Sequence, residues 1–162
     1  MPTYVCTVSG SSLSAAKKRE IAAEITRVHS GLTGAPRSFA QVFFLQAAAG
    51  DHFIGGSFSK QEQAFIRGEI RAGRSAEVKR NLVGDLVRGF SRISGIPQAG
   101  VWVYLNELAA GQMAEYGRVL PEPGGEVEWM ASLPAEVRER MGGLGRRSSD
   151  RRGLVRRRRS RR

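Results

Sequence analysis

PTYVCTVSGSSLSAAKKREIAAEITRVHSGLTGAPRSFAQVFFLQ, residues 2–46, reads as a strand, a helix and a second strand in succession, and this order decides the fold. Residues 3–9 (TYVCTVS) are rich in β-branched side chains, as a short strand requires. Ser14 closes a Ser/Gly segment and is placed to cap a helix, because its oxygen can accept one of the unpaired N–H groups of the first turn. From about Ala15 to His29 the spacing puts Ile21, Ile25 and Val28 on one face and Lys17, Lys18, Arg19 and Glu20 towards solvent. The loop GLTGAPR (31–37) then leads into FAQVFFLQ (39–46), a second strand.

The same pattern returns further along. AFIRGEI (64–70) is a strand, Gly73-Arg74-Ser75 a turn with Ser75 as its cap, and Val78, Leu82, Leu86 and Phe90 a helical stripe broadened by Val83, Val87 and Ile93. Gly95-Ile96-Pro97 ends the helix and VWVYLNEL (101–108) closes the unit. Lys18 and Lys79, Ile25 and Leu86, and Phe39 and Val101 lie 61 or 62 positions apart. The expectation is an α/β chain of two fused βαβ units, about 2–47 and 64–108. Its sheet should carry helices on one face and subunit packing on the other. Between the units DHFIGGSFS reads as a glycine turn or hairpin. Beyond Leu108 the chain reads as irregular, with a short helix around Gln112–Tyr116.

With 162 residues and 41% apolar content the chain suits a soluble globular body. No apolar run approaches the length of a membrane span and the start has no signal-peptide pattern, so a cytoplasmic protein without membrane contact is expected. Cys6 is the single cysteine; without a partner for an internal disulfide it is expected as a small buried hydrophobe. Of the formal +11, the segment 146–162, with ten arginines and Asp150, carries +9 and leaves +2 for the remainder. The basicity therefore belongs to a tail. That tail, expected from residue 142 to 162, is too charged and too poor in apolar residues to build a core, and reads as disordered. It could touch nucleic acid non-specifically, but lacks the aromatics that stack on bases.

Pro2 lies directly behind the initiator methionine. Removal of Met1 leaves a free secondary amine, compact and stiff, whose ordinary pKa near neutrality suits a general acid or base. Arg71 and Arg74, three apart in a strand-to-helix turn, are either a solvated pair or a two-fork clamp for a small anion. The two histidines, His29 and His52, and the lone Cys6 are too few and too scattered for a metal site. No phosphate-binding glycine motif is present, so no cofactor is expected.

A strand opening on Pro2 in a doubled βαβ body resembles the tautomerase superfamily. ITRVHSGLTG with His29, IRAGRSAE with Arg71 and Arg74, VWVY with Tyr104, QMAEYGRVLPEPG with Glu115, and EVEW (126–129) resemble the cis-3-chloroacrylic acid dehalogenase family within it. The likeness runs from Pro2 to about Met141. It implies a tautomerase fold with a four-stranded mixed sheet and two helices on one face, spanning residues 2–141, and a homotrimer. It also implies roles. Protonated Pro2 is the general acid that delivers a proton to C2 of an α,β-unsaturated acid. Glu115 activates the water that adds at C3, Tyr104 holds that water, and His29, Arg71 and Arg74 bind the substrate carboxylate.

The resemblance leaves an enol–keto tautomerase, with unprotonated Pro2 as base, as an alternative. A non-enzymatic module with a nucleic-acid-binding tail is a further one. The loop 34–39 (GAPRSF) departs from the dehalogenase pattern, since Pro36 stiffens it and Arg37 adds a cation. Retained chemistry with altered specificity is expected.

Overall fold

A computed structural model of the chain describes residues 2–143; the arginine-rich tail lies, from residue 144, outside the described residues. In chain order the elements are β1 (Thr3–Ser9), α1 (Ala15–Thr33), β2 (Gln41–Gln46), the short β3 (Phe53–Ile54) and β4 (Ser57–Phe58), β5 (Gln63–Arg71), α2 (Ala76–Ser94), β6 (Val101–Leu108), the short β7 (Ala114–Glu115) and β8 (Arg118–Val119), α3 (Glu126–Ala131) and α4 (Ala135–Gly143). Four strands form one mixed sheet in the order β2-β1-β5-β6. Strands are parallel within each βαβ unit, and the units join through the antiparallel pair β1–β5.

The repeat is a repeat of local chemistry. Helices α1 and α2 are each 19 residues long, and Ser14 and Ser75 cap them by accepting from the Lys17 and Val78 N–H groups. Both end on a left-handed glycine, Gly34 and Gly95. Both helices lie on one face of the sheet. There Tyr4, Cys6 and Val8 of β1 and Ala64, Ile66 and Ile70 of β5 pack against Ile21, Ile25, Val28, Leu82, Leu86 and Phe90. Cys6 is fully buried, as expected, and burial pushes its thiol up to about 12. The other face of the sheet carries exposed Phe43, Leu45, Trp102 and Tyr104.

The segment DHFIGGSFS forms the hairpin β3–β4, turning at Gly55 and Gly56. The helix expected at Gln112–Tyr116 is not formed. A 3-10 turn at Ala110–Gln112 is followed by the hairpin β7–β8, which reverses at Tyr116 (φ 52°) and Gly117 (φ 77°). Two consecutive left-handed residues suit a two-residue hairpin and cannot continue a helix.

The irregular chain expected after Leu108 also contains α3 and α4. Their apolar stripes are thin, since Trp129 and Met141 are the buried residues of each. With Phe39, Ala110, Leu120 and Leu133 these residues make a second small core beside the sheet. At the other expected boundaries, α1 runs past His29 to Thr33, and residues 37–39 form a 3-10 turn, so that β2 starts at Gln41.

Candidate active site

The topology gathers chemistry at one end of the sheet. Because β1 and β5 are antiparallel, the start of β1, with Pro2, lies beside the end of β5, with Ile70 and Arg71. Helix α1 runs back along the sheet and brings His29 over the same end. Strand β6 is parallel to β5 and pairs Leu108 with Arg71, so the chain beyond β6 also emerges there. The result is a cavity of about 290 Å³ whose lining includes Pro2, His29, Arg71, Arg74, Pro36 and Glu126. Phe39, Leu120 and Trp129 supply apolar wall.

Pro2 is fully buried, and its carbonyl accepts the Gln41 N–H at 3.0 Å. His29 is buried on α1, with Nδ1 2.8 Å from the Tyr4 hydroxyl and the two rings edge to face. Burial lowers the His29 pKa from 6.5 to about 4, helped by the Arg74 cation and the positive amino terminus. The imidazole is therefore neutral near pH 7. Burial also raises the Tyr4 hydroxyl well above its usual range, so it remains a phenol. When that phenol donates to Nδ1, the imidazole presents its Nε2–H for other contacts. Sequence reading missed Tyr4, whose only signal was its inward place in the alternation of β1.

The two arginines differ. Arg71 is 9% exposed and already engaged: one terminal nitrogen donates to the Pro121 carbonyl at 2.9 Å and the other to the Glu126 carboxylate. Arg71 in turn holds the Glu126 carboxyl below the usual carboxylate range, chiefly through this hydrogen bond. Arg74, in the turn between β5 and α2, makes no ion pair among the described residues. Glu126 belongs to the EVEW stretch (126–129), to which the sequence assigns no role. Arg37, expected as an added cation, does not line the cavity.

Glu115 sits on β7, half-buried, opposite Arg118. Burial raises its pKa, while the charge of the amino terminus and a hydrogen bond to it work in the opposite direction. Glu115 is not among the residues that line the Pro2 cavity. Tyr104 is placed elsewhere. It stands on the open face of the sheet, edge-on to Phe65 at 5.0 Å, and lines a second cavity with Ser9, His52, Phe53 and Trp102. Within one chain it does not line the Pro2 cavity. His52, expected in a turn, shares a 2.9 Å hydrogen bond with Ser9.

A doubled βαβ sheet with Pro2, His29, Arg71 and Arg74 around one cavity at its end defines a tautomerase-type α/β protein. The chain belongs to the tautomerase superfamily and, within it, to the cis-3-chloroacrylic acid dehalogenase family. The family profile described as "Putative oxalocrotonate tautomerase enzyme" matches residues 1–131. The crystal structure of N1, a member of the cis-3-chloroacrylic acid dehalogenase family, is 32% identical with a TM-score of 0.82, over 88% of this chain and 99% of that one. Native fused 4-OT is 21% identical with a TM-score of 0.67, over 72% of this chain and 94% of that one. Macrophage migration inhibitory factor of Toxoplasma gondii is 18% identical with a TM-score of 0.61, over 72% and 99%. These last two share the fold. Comparison with curated proteins gives no match. Members of the superfamily are enzymes, and no described helix is long and apolar enough to cross a membrane.

Proposed function

We propose that the chain is a cofactor-independent hydratase or lyase acting on a small α,β-unsaturated carboxylate, with release of halide from a 3-haloacrylate as a side activity. The observation that carries this reading is the grouping of Pro2, His29 and the two arginines around one cavity. Loss of Met1 places the terminal charge on the Pro2 nitrogen. Arg74, Arg71 and the neutral His29 bind the substrate carboxylate and draw electron density from the double bond. Glu115 takes a proton from water, which adds at C3, and the Pro2 ammonium protonates C2. With a chlorine on C3, the resulting halohydrin collapses to an aldehyde and releases chloride and a proton.

The chain acts as a homotrimer in this reading. Structures of fused 4-OT with the same fold are trimers. The exposed apolar face that carries Tyr104 supports packing of one subunit on another. Tyr104 then serves an adjoining subunit, where its hydroxyl holds the water.

A second reading, an enol–keto tautomerase with unprotonated Pro2 as base, is favoured by burial of Pro2 and by the nearby Arg74, both of which disfavour an ammonium. Glu115 decides between them. In Glu115→Gln, hydration of a three-carbon unsaturated acid should fall by at least about a hundredfold. Ketonisation of an enol, which needs Pro2 and the cations, should survive. Equal loss of both activities, or loss of neither, removes Glu115 from the mechanism and the hydratase reading with it.

A further inference from the structure

A buried guanidinium cannot shed its charge and needs a carboxylate or its equivalent beside it. In this chain Arg71 has one within its own fold. It is Glu126, the first residue of α3, and both residues line the Pro2 cavity. We infer that Glu126 is a built-in competitor for the anion site, occupying Arg71 until a substrate carboxylate displaces it. This rests on the reading of the cavity as a carboxylate site.

The geometry favours exchange over a permanent tie. The Glu126 side chain is 30% exposed against 9% for Arg71, so the glutamate can return to water while the arginine cannot. Its backbone enters from Gly124 and Gly125, and Gly124 is left-handed. The contact between Glu126 Oε2 and the Gly124 N–H, 2.9 Å, lies within this same local turn and is easily replaced by water. The bond from Arg71 to the Pro121 carbonyl does not involve Glu126 and holds the guanidinium in place throughout. Exchange of one carboxylate for another leaves the charge around Arg71 unchanged, so no uncompensated ion is buried at any stage. An uncharged ligand cannot make this exchange. Glu126 thus sets the affinity for a carboxylate and, sitting beside Val127, Trp129 and Met130, it ties occupancy of Arg71 to the wall formed by α3.

The test is an NMR titration of the full chain with propionate, an unreactive three-carbon carboxylate, and with propionamide. Wild type is compared with Glu126→Gln, Glu126→Asp, Arg74→Ala and the neighbouring surface control Glu122→Gln. Loss of the competitor should tighten propionate binding about three- to tenfold, as expected for a partly exposed, hydrogen-bonded ion pair. Propionamide should be unaffected. Glu126→Asp, which keeps the charge, should return towards wild-type affinity, and Glu122→Gln should match wild type. Unchanged or weaker propionate binding in Glu126→Gln, with wild-type binding that depends on Arg74, overturns the competitor and leaves the carboxylate site standing. Equal tightening in Glu122→Gln also overturns it, since the effect is then one of general charge. Propionate binding in neither wild type nor Glu126→Gln overturns the carboxylate site itself.

Discussion

At the scale of single residues the controlling feature is a histidine kept neutral. His29 titrates near 4 in the folded chain because burial, then Arg74, then the amino terminus oppose its cation. An unfolded chain takes up that proton near 6.5. Between these values the unfolded state binds the additional proton, so this residue makes stability fall as pH drops from about 6.5 through about 4 and contributes nothing to pH dependence above that window. An NMR titration should place the His29 midpoint near 4; a midpoint near 6.5 would mean that its surroundings are polar and open. Tyr4→Phe should cost about 1–3 kcal/mol in chemical denaturation, since it leaves a buried imidazole nitrogen without its partner. Arg74→Ala should lower turnover of a carboxylate substrate by about one to two decades, corresponding to roughly 1.5–3 kcal/mol for a charge-assisted hydrogen bond. Near-wild-type kinetics would return Arg74 to the status of a surface charge.

At the scale of elements, the β1–β5 pairing fixes where Tyr4 and therefore His29 stand. Gly68 lies opposite Tyr4 in that pairing. A Cβ there would come within 2.6 Å of Tyr4 Cε1 and 2.8 Å of Leu105 Cδ2. Gly68→Ala should destabilise the fold by about 1–3 kcal/mol through overpacking, and should shift the His29 resonance because the Tyr4 ring must move. An unchanged His29 spectrum would show that Tyr4 does not position it.

The two helices and the strands of the sheet were legible in the sequence because their signals are strong and repeated: serine caps, glycine stops and broad apolar stripes. The segment after Leu108 was not. Its short hairpin turns at a non-glycine left-handed residue, Tyr116, and its helices bury too few side chains to give a period. The grouping of Pro2, His29, Arg71 and Arg74 follows from pairing the ends of elements that could be read. The Arg71–Glu126 pair spans 55 positions, and no local pattern announces it.

At the scale of the whole molecule, Tyr104 lies outside the Pro2 cavity of its own chain, on a sheet face with exposed Phe43, Leu45 and Trp102. In the trimer proposed above, packing on that face would bring residues of one subunit to the site of the next through a heterologous contact. Leu45→Glu should then weaken assembly in light scattering while leaving the circular dichroism spectrum of the fold unchanged, and activity should fall with the trimer.

Mixing two inactive variants separates a shared site from a merely associated one. Pro2→Ala and Tyr104→Phe are each expected to be severely impaired alone. When subunits are mixed under mild dissociation and reassociated, some sites combine Pro2 from a Tyr104→Phe chain with Tyr104 from a Pro2→Ala chain. At equal ratio and random association about a quarter of sites regain both residues, so activity should recover to about a quarter of wild type. If both residues serve the same chain, no mixture can rebuild a site. Mixed oligomers with no recovery would therefore place Tyr104 outside the catalytic set or within its own subunit.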